Sequence, residues 1–215
     1  MLPELEADPR AAGNFGFLRC RACWALQRFA EDLGAPEADA AARRVAAAVL
    51  RALDDPAPPV RVEATSALRS LLASDVGCFD VILRPELPRL LEACFRVMGE
   101  AASDDVVQAL EIVVDKFGDA IGPYAVALAA KLAEAFTRYA GQADDDEEAA
   151  MAAAQCVEAM AATLASLDDD KDGVYGRMEP HLVPVLSAIF SASGDYVEYF
   201  ENAVEVLSYL TYHGR

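Results

Sequence analysis

Between Val60 and Leu71 the apolar residues Val60, Ala64, Ala67, Leu68 and Leu71 recur at steps of four, three, one and three, which is one face of a helix. Asp54 and Asp55 close the segment before it, and Pro56, Pro58 and Pro59 make a stiff turn. Proline is tolerated in a first helical turn because those backbone N–H groups lack intrahelical partners anyway. The alanines admit a neighbouring helix closely, while the leucines and valine supply apolar contact. The arrangement stands earlier as well: Leu18, Ala22, Ala25 and Leu26 hold the places of Val60, Ala64, Ala67 and Leu68. Arg19 and Arg61 are then offset by 42 residues. Asp104 to Leu110, DDVVQAL, opens a third helix of this kind, and Asp195-Tyr196-Val197 a later one.

A period in the low-to-mid forties with two helices per period marks a HEAT or armadillo solenoid. The fold class is therefore expected to be all-α, a HEAT-repeat alpha-solenoid of about four helical hairpins plus one leading helix. No strand alternation competes with it. Residues 1–13 read as a loop or frayed start, and residues 14–215 as one continuous HEAT-repeat segment. Within that segment the pattern predicts helices over Phe15–Leu33, Glu37–Leu53, Pro59–Ser74, Pro85–Ala101 and Ser103–Phe117, with Ser103 as an N-cap. Asp75–Leu83 is a connector with room for one short helical turn. Helices over Tyr124–Ala140, Glu147–Leu167, Pro180–Ser193 and Asp195–Tyr212 follow, separated by acidic loops at Gly141–Glu148 and Asp168–Gly176. Met151, Ala154, Val157, Met160, Ala161 and Leu164 are placed on the core face of the alanine-rich helix.

The first helix has two apolar faces, Leu18, Ala22, Ala25, Leu26, Phe29 and Leu33 on one and Phe17, Cys20 and Trp24 on the other. The last is apolar on more than one side too, through Tyr196, Tyr199, Phe200, Val204, Val206, Leu207 and Leu210. True solenoid caps turn a polar face outward, so both ends read as cut from a longer protein.

Hydrophobic residues make up 54% of the chain, and much of that is alanine, the best helix former. The net charge of −18, from 36 acidic against 18 basic residues, speaks against a nucleic-acid partner and favours a basic one. Five cysteines at 20, 23, 78, 94 and 156, with no secretory pattern before them, point to a reduced intracellular compartment. No apolar run reaches the roughly 18 residues needed for membrane insertion.

Asp168, Asp170, Asp172, Gly173 and Glu179 fit the calcium-loop spacing D-x-D-x-D-G-x5-E, in which alternating carboxylates and a closing glutamate surround a hard cation. Tyr175 stands where an aliphatic residue is expected and Pro180 follows the glutamate directly, so a solvated acidic turn is favoured and no metal or cofactor is assigned. Cys20 and Cys23 have the spacing of half a zinc site, but no second pair lies within reach, and they are read as core. His181, taken to open a helix after Pro180, and His213 lack a nucleophile at any recognisable spacing. The chain is read as a binding protein with no catalytic residue. Arg19, Arg21, Arg61 and Arg69 are expected to pair with an aspartate of the neighbouring repeat.

Gly16 to Phe29, GFLRCRACWALQRF, resembles the importin-beta superfamily of nuclear transport receptors, in the branch of importins seven and eight. The VRVEATSAL helix, the DDVVQALEIVVDKF helix, the acidic break at Asp144–Glu148, then MEPHLVPVLSAIF and DYVEYFENAVEVLSYLTY follow in that family's order. The resemblance covers about Asn14 to Tyr212 and departs in the aspartate-rich Asp168–Asp172 loop. It implies a shuttling protein of nucleus and cytoplasm that carries basic cargo, such as ribosomal proteins and histones, and is regulated by Ran-GTP. It further implies that Ran binds mainly through repeats absent here and that FG nucleoporins meet the outer helices. On that basis Glu63, Asp104, Asp105, Glu111, Glu198, Glu201 and Glu205 are candidate cargo contacts. The rival readings are a HEAT scaffold without a transport role and a calcium-responsive module built on Asp168–Glu179.

Overall fold

The computed structural model describes residues 16–30, 39–74, 78–167, 173–191 and 199–214, all helical or in short connections. The chain divides into two compact units, Met1–Ala101 and Ala102–Arg215. In the second unit the helices stack in two layers as HEAT repeats do, first helices on first and second on second.

In the first unit α1 (Gly16–Arg28) and α3 (Pro58–Ala73) are the second-layer helices and pack side by side. α2 (Asp39–Ala52) packs against α3 and against the short α4 (Cys78–Leu83). A 3-10 turn over Arg84–Glu86 leads into α5 (Leu87–Glu100), which lies on α3. The α3 pattern is realised: Val60, Ala64, Ala67, Leu68 and Leu71 are all buried. α5 shows the same logic, with Leu87, Leu90, Leu91, Cys94, Val97 and Met98 forming one buried stripe.

The first helix departs from its predicted face. Arg19, Ala22, Cys23, Leu26 and Ala30 are buried, whereas Leu18 and Phe29 are exposed. Phe17, at 74%, and Trp24 are exposed too, so the second apolar face of α1 is uncovered within the described residues. Leu33 lies outside the described residues, as do Asp75 to Gly77 of the connector.

In the second unit α6 (Asp104–Lys116), α9 (Glu147–Ala165) and α11 (Phe200–His213) form one layer, with α9 packed on both of the others. α8 (Ala125–Ala140) and α10 (Val174–Ser191) form the second layer, α8 backing α9 and α10 backing α11. A helical turn, α7 (Gly118–Ile121), and a 3-10 turn over Gly122–Tyr124 join α6 to α8. A methyl group on Gly118 would stand 3.2 Å from the Cβ of Ser166, so glycine lets the α6–α7 corner meet the end of α9 closely.

Three details differ from expectation. Ser103 precedes α6 in extended conformation but its side chain makes no capping hydrogen bond, whereas Asp146 caps α9 by accepting from the N–H groups of Glu148 (3.0 Å) and Ala149 (3.4 Å). On α9 Val157, Met160, Ala161 and Leu164 are buried as predicted, but Met151 is 50% exposed and Ala154 only half-buried. Ala149, Ala152, Ala153 and Cys156 take their place in the core. α10 starts at Val174 rather than Pro180, so Pro180 and Pro184 sit inside it and His181 does not open it. Each proline lacks the N–H that would bond the carbonyl four residues back. Both stay exposed, where water can serve those carbonyls.

Candidate binding surface

The densest polar arrangement in the first unit surrounds the turn between α2 and α3. Arg19 donates from Nε to Oδ2 of Asp55 (2.6 Å) and from a terminal nitrogen to Oδ1 (2.9 Å), both side chains being about 95% buried. Asp55 Oδ1 also accepts from the Ala57 N–H at 2.9 Å, and the Asp55 carbonyl accepts from Arg61. Arg61 continues to Glu100, with Nε at 3.0 Å from Oε2. From the other side Arg89 and Arg96 of α5 hold Asp54 at 2.6 and 2.8 Å and donate to the Leu50 and Leu53 carbonyls. Burial alone would raise the Asp54 carboxyl, but the hydrogen bonds from Arg96 and Arg89 outweigh it and hold the group below its usual range. The Asp55 hydrogen bonds raise the Arg19 guanidinium further.

The expected pairing of arginines with a neighbouring repeat is thus found for Arg19. Arg61 takes a glutamate in place of an aspartate. Arg21 stacks on Trp24 of its own helix, 4.4 Å from the ring centroid. Arg69 is half-buried on α3.

The carboxylates named from the sequence are spread over both units and several helices. Glu63 is half-buried on α3 and accepts from Gln27 of α1 at 2.6 Å. Asp104 and Asp105 open α6, where the helix dipole favours negative charge, and Asp104 also accepts from Gln108 at 3.3 Å. Glu111, further along α6, is half-buried and interacts with Glu158 of α9. Burial first, then the charges of Glu158 and Asp115, push its carboxyl up to about 7. Glu158 keeps a hydrogen bond from Gln155 at 3.0 Å. Glu201 and Glu205 are exposed on α11, and Glu198 lies outside the described residues.

Asp168, Asp170 and Asp172 of the calcium-loop pattern lie outside the described residues. Gly173 has the left-handed φ of +63°, and Glu179 is an exposed residue of α10. Tyr175, the departure from that pattern, is a buried anchor whose hydroxyl donates to the Leu164 carbonyl at 3.1 Å. Cys23, Cys94 and Cys156 are buried free thiols, and burial pushes Cys23 and Cys94 up to about 12, far from the reactive thiolate. Among the described residues no group of three or more His, Cys, Asp or Glu side chains could hold a metal ion. No described helix is long and apolar enough to cross a membrane.

Comparison with known proteins gives the chain its family. The Importin beta-like SAD2 homolog of Arabidopsis thaliana is 33% identical over 208 residues, which is 94% of this chain and 19% of that protein. The Probable importin-7 homolog of Dictyostelium discoideum is 32% identical over 212 residues, 97% of this chain and 19% of its own length. The chain belongs to the importin-beta superfamily, in the branch of importins 7 and 8. Human Importin-8 is more distant, 23% identical over 216 residues and covered to 20%. No protein-family model and no solved structure matches the chain. This importin chain spans about a fifth of the length of the curated relatives it matches.

Two elements of the importin surface were missed from sequence. Arg89 and Arg96 lie seven residues apart on one face of α5, and one repeat length separates Arg96 from Asp54; that coincidence of spacings was the available signal. The aromatic cluster at the end of α11, where His213 stacks on Tyr175 at 4.7 Å, had none, because the two residues belong to different helices.

Proposed function

We propose that this chain is part of a nuclear transport receptor that carries basic protein cargo, of the ribosomal-protein or histone kind, between cytoplasm and nucleus under control of Ran-GTP. The observation that carries this reading is the 33% identity to an importin along 94% of the chain. The net charge of −18 supports it, because an acidic surface attracts a basic partner and speeds encounter. The mechanism is reversible binding without chemistry. Asp104, Asp105, Glu111, Glu198, Glu201 and Glu205, together with Glu63, are the carboxylates proposed to face cargo, Glu201 and Glu205 being the exposed pair among the described ones. Ran contacts belong mainly to other repeats of such a receptor, and FG nucleoporins to the first-helix layer.

The test is capture of a core histone by the purified chain across a salt series, repeated with Glu198, Glu201 and Glu205 changed to lysine. Capture at low salt that weakens as salt rises and is lost in the triple variant supports the reading. Absence of capture at low salt removes it.

A further inference from the structure

The two ends of α10 are held unequally. Gly176, Pro180 and Pro184 stand four residues apart and are all exposed, so one ridge of the helix carries every one of its backbone breakers. Proline has no N–H, so position 180 cannot bond the Gly176 carbonyl, nor position 184 the Pro180 carbonyl, and each ring also crowds the carbonyl it faces. Sharp bends in helices arise at such places. Ahead of Pro180, helix geometry pairs only the Met178 and Glu179 N–H groups with carbonyls, those of Val174 and Tyr175. Gly176 weakens this short stretch further, and no acidic residue stands in its first turn to meet the helix dipole.

Packing supplies what the backbone lacks. Val174, Tyr175 and Met178 are buried, and the Tyr175 hydroxyl donates to the Leu164 carbonyl at 3.1 Å and reaches the Leu167 carbonyl at 3.4 Å. Those carbonyls belong to the end of α9, where no further turn of helix serves them. Ser166 stands in the same stretch, and Gly118 of the α6–α7 corner lies against its Cβ. Beyond the prolines, Val185, Leu186 and Ile189 hold the rest of α10 in the core independently.

We propose that Val174–Glu179 is a strap, hinged at Pro180 and Pro184, fastened by Tyr175 over the end of α9, and able to lift while Val185–Ser191 stays packed. Lifting it withdraws the donor from the Leu164 and Leu167 carbonyls, loosens the end of α9 and unseats the corner that rests on Ser166. The strap thereby ties α10 to the seam between α6 and α9. Native-state hydrogen exchange of the purified chain, read by NMR, tests this. The amides of Met178, Glu179, His181 and Leu182 should exchange about tenfold faster, or more, than those of Leu186 to Ile189. Pro180→Ala with Pro184→Ala makes both missing bonds possible and should slow the first group about tenfold, towards the rate of the second. Both prolines are exposed, so circular dichroism should show the fold unchanged. Tyr175→Phe keeps the ring and removes the donor. It should speed the first group about fivefold, the worth of one hydrogen bond, together with the Ser166 and Leu167 amides that bond within the end of α9, and leave Leu186 to Ile189 as they were. Equal exchange of the two groups in the parent chain, or a double proline variant that exchanges as the parent does, overturns the hinge. If Tyr175→Phe speeds the first group without moving Ser166 and Leu167, the tie to α9 is overturned.

Discussion

Replacing Asp55 by alanine should be among the most damaging single changes in the first unit. The substitution removes both oxygens that hold Arg19, at 2.6 and 2.9 Å, and the acceptor of the Ala57 N–H. Arg19 is 4% exposed, so its charge is left without a counter-ion in a place water hardly reaches. Breaking a buried pair from one side costs about 3–5 kcal/mol, because the orphaned charge keeps its desolvation penalty. Urea unfolding followed by circular dichroism would read this as a lower midpoint at unchanged slope. Taking out both charges, with Arg19→Met beside Asp55→Asn, should recover most of the loss, since replacing a whole buried pair is often near neutral. The reasoning is refuted if Asp55→Ala costs less than about 1 kcal/mol, or if the double variant is as unstable as the two single changes added together.

Two further predictions concern the second unit. The Glu111 carboxyl is raised from 4.5 to about 7, so the folded state holds a proton there that the unfolded chain releases, and this contribution to stability declines as pH rises from about 4.5 through 7. Glu111→Gln should therefore stabilise the chain by about 1 kcal/mol at pH 8, after allowing for solvent screening, and leave it unchanged near pH 4.5; a thermal-melt series showing equal effects at both pH values would contradict this. Tyr175→Phe should cost about 1 kcal/mol by removing the hydroxyl that serves the Leu164 carbonyl, with far-ultraviolet dichroism unaltered. A thermal midpoint that does not move would show that water replaces the hydroxyl without loss.

How much of this was legible beforehand depends on whether a residue's burial is decided within its own repeat. On α3 the apolar residues alternate with polar ones, so periodicity alone locates Val60, Ala64, Leu68 and Leu71. On α1 it misleads. The pairing expected of Arg19 is found with Asp55, 36 residues away, but periodicity does not say that the pair is buried, and with Arg19 inside Leu18 and Phe29 face out. Alanine hides the answer on α9, where nearly every position is compatible with a core and only the packing of α6, α8 and α11 decides among them. The prolines of α10 mislead in another way: they read as a start signal, yet Val174 to Glu179 is already helical, with Tyr175 pinned to the end of α9. The candidate surface was legible as a list of acidic residues. Which of them are engaged, as Glu63 is with Gln27, was set by contacts between helices.

The turn from Leu53 to Ala57 is short and brings Asp54 and Pro56 to the surface, the sort of place where an epitope tag or a protease site would ordinarily be inserted. Here that choice would be poor. Its two aspartates and its backbone are held by arginines from α1, α3 and α5, so lengthening it would loosen three helices together. The turn at Gly141–Asp146 is a different matter, because its residues are mostly exposed and only its ends serve helices, Gly141 closing α8 on the Thr137 carbonyl and Asp146 capping α9. Labels, linkers and crosslinkers belong there, between Gln142 and Asp145, with the cap residue left in place.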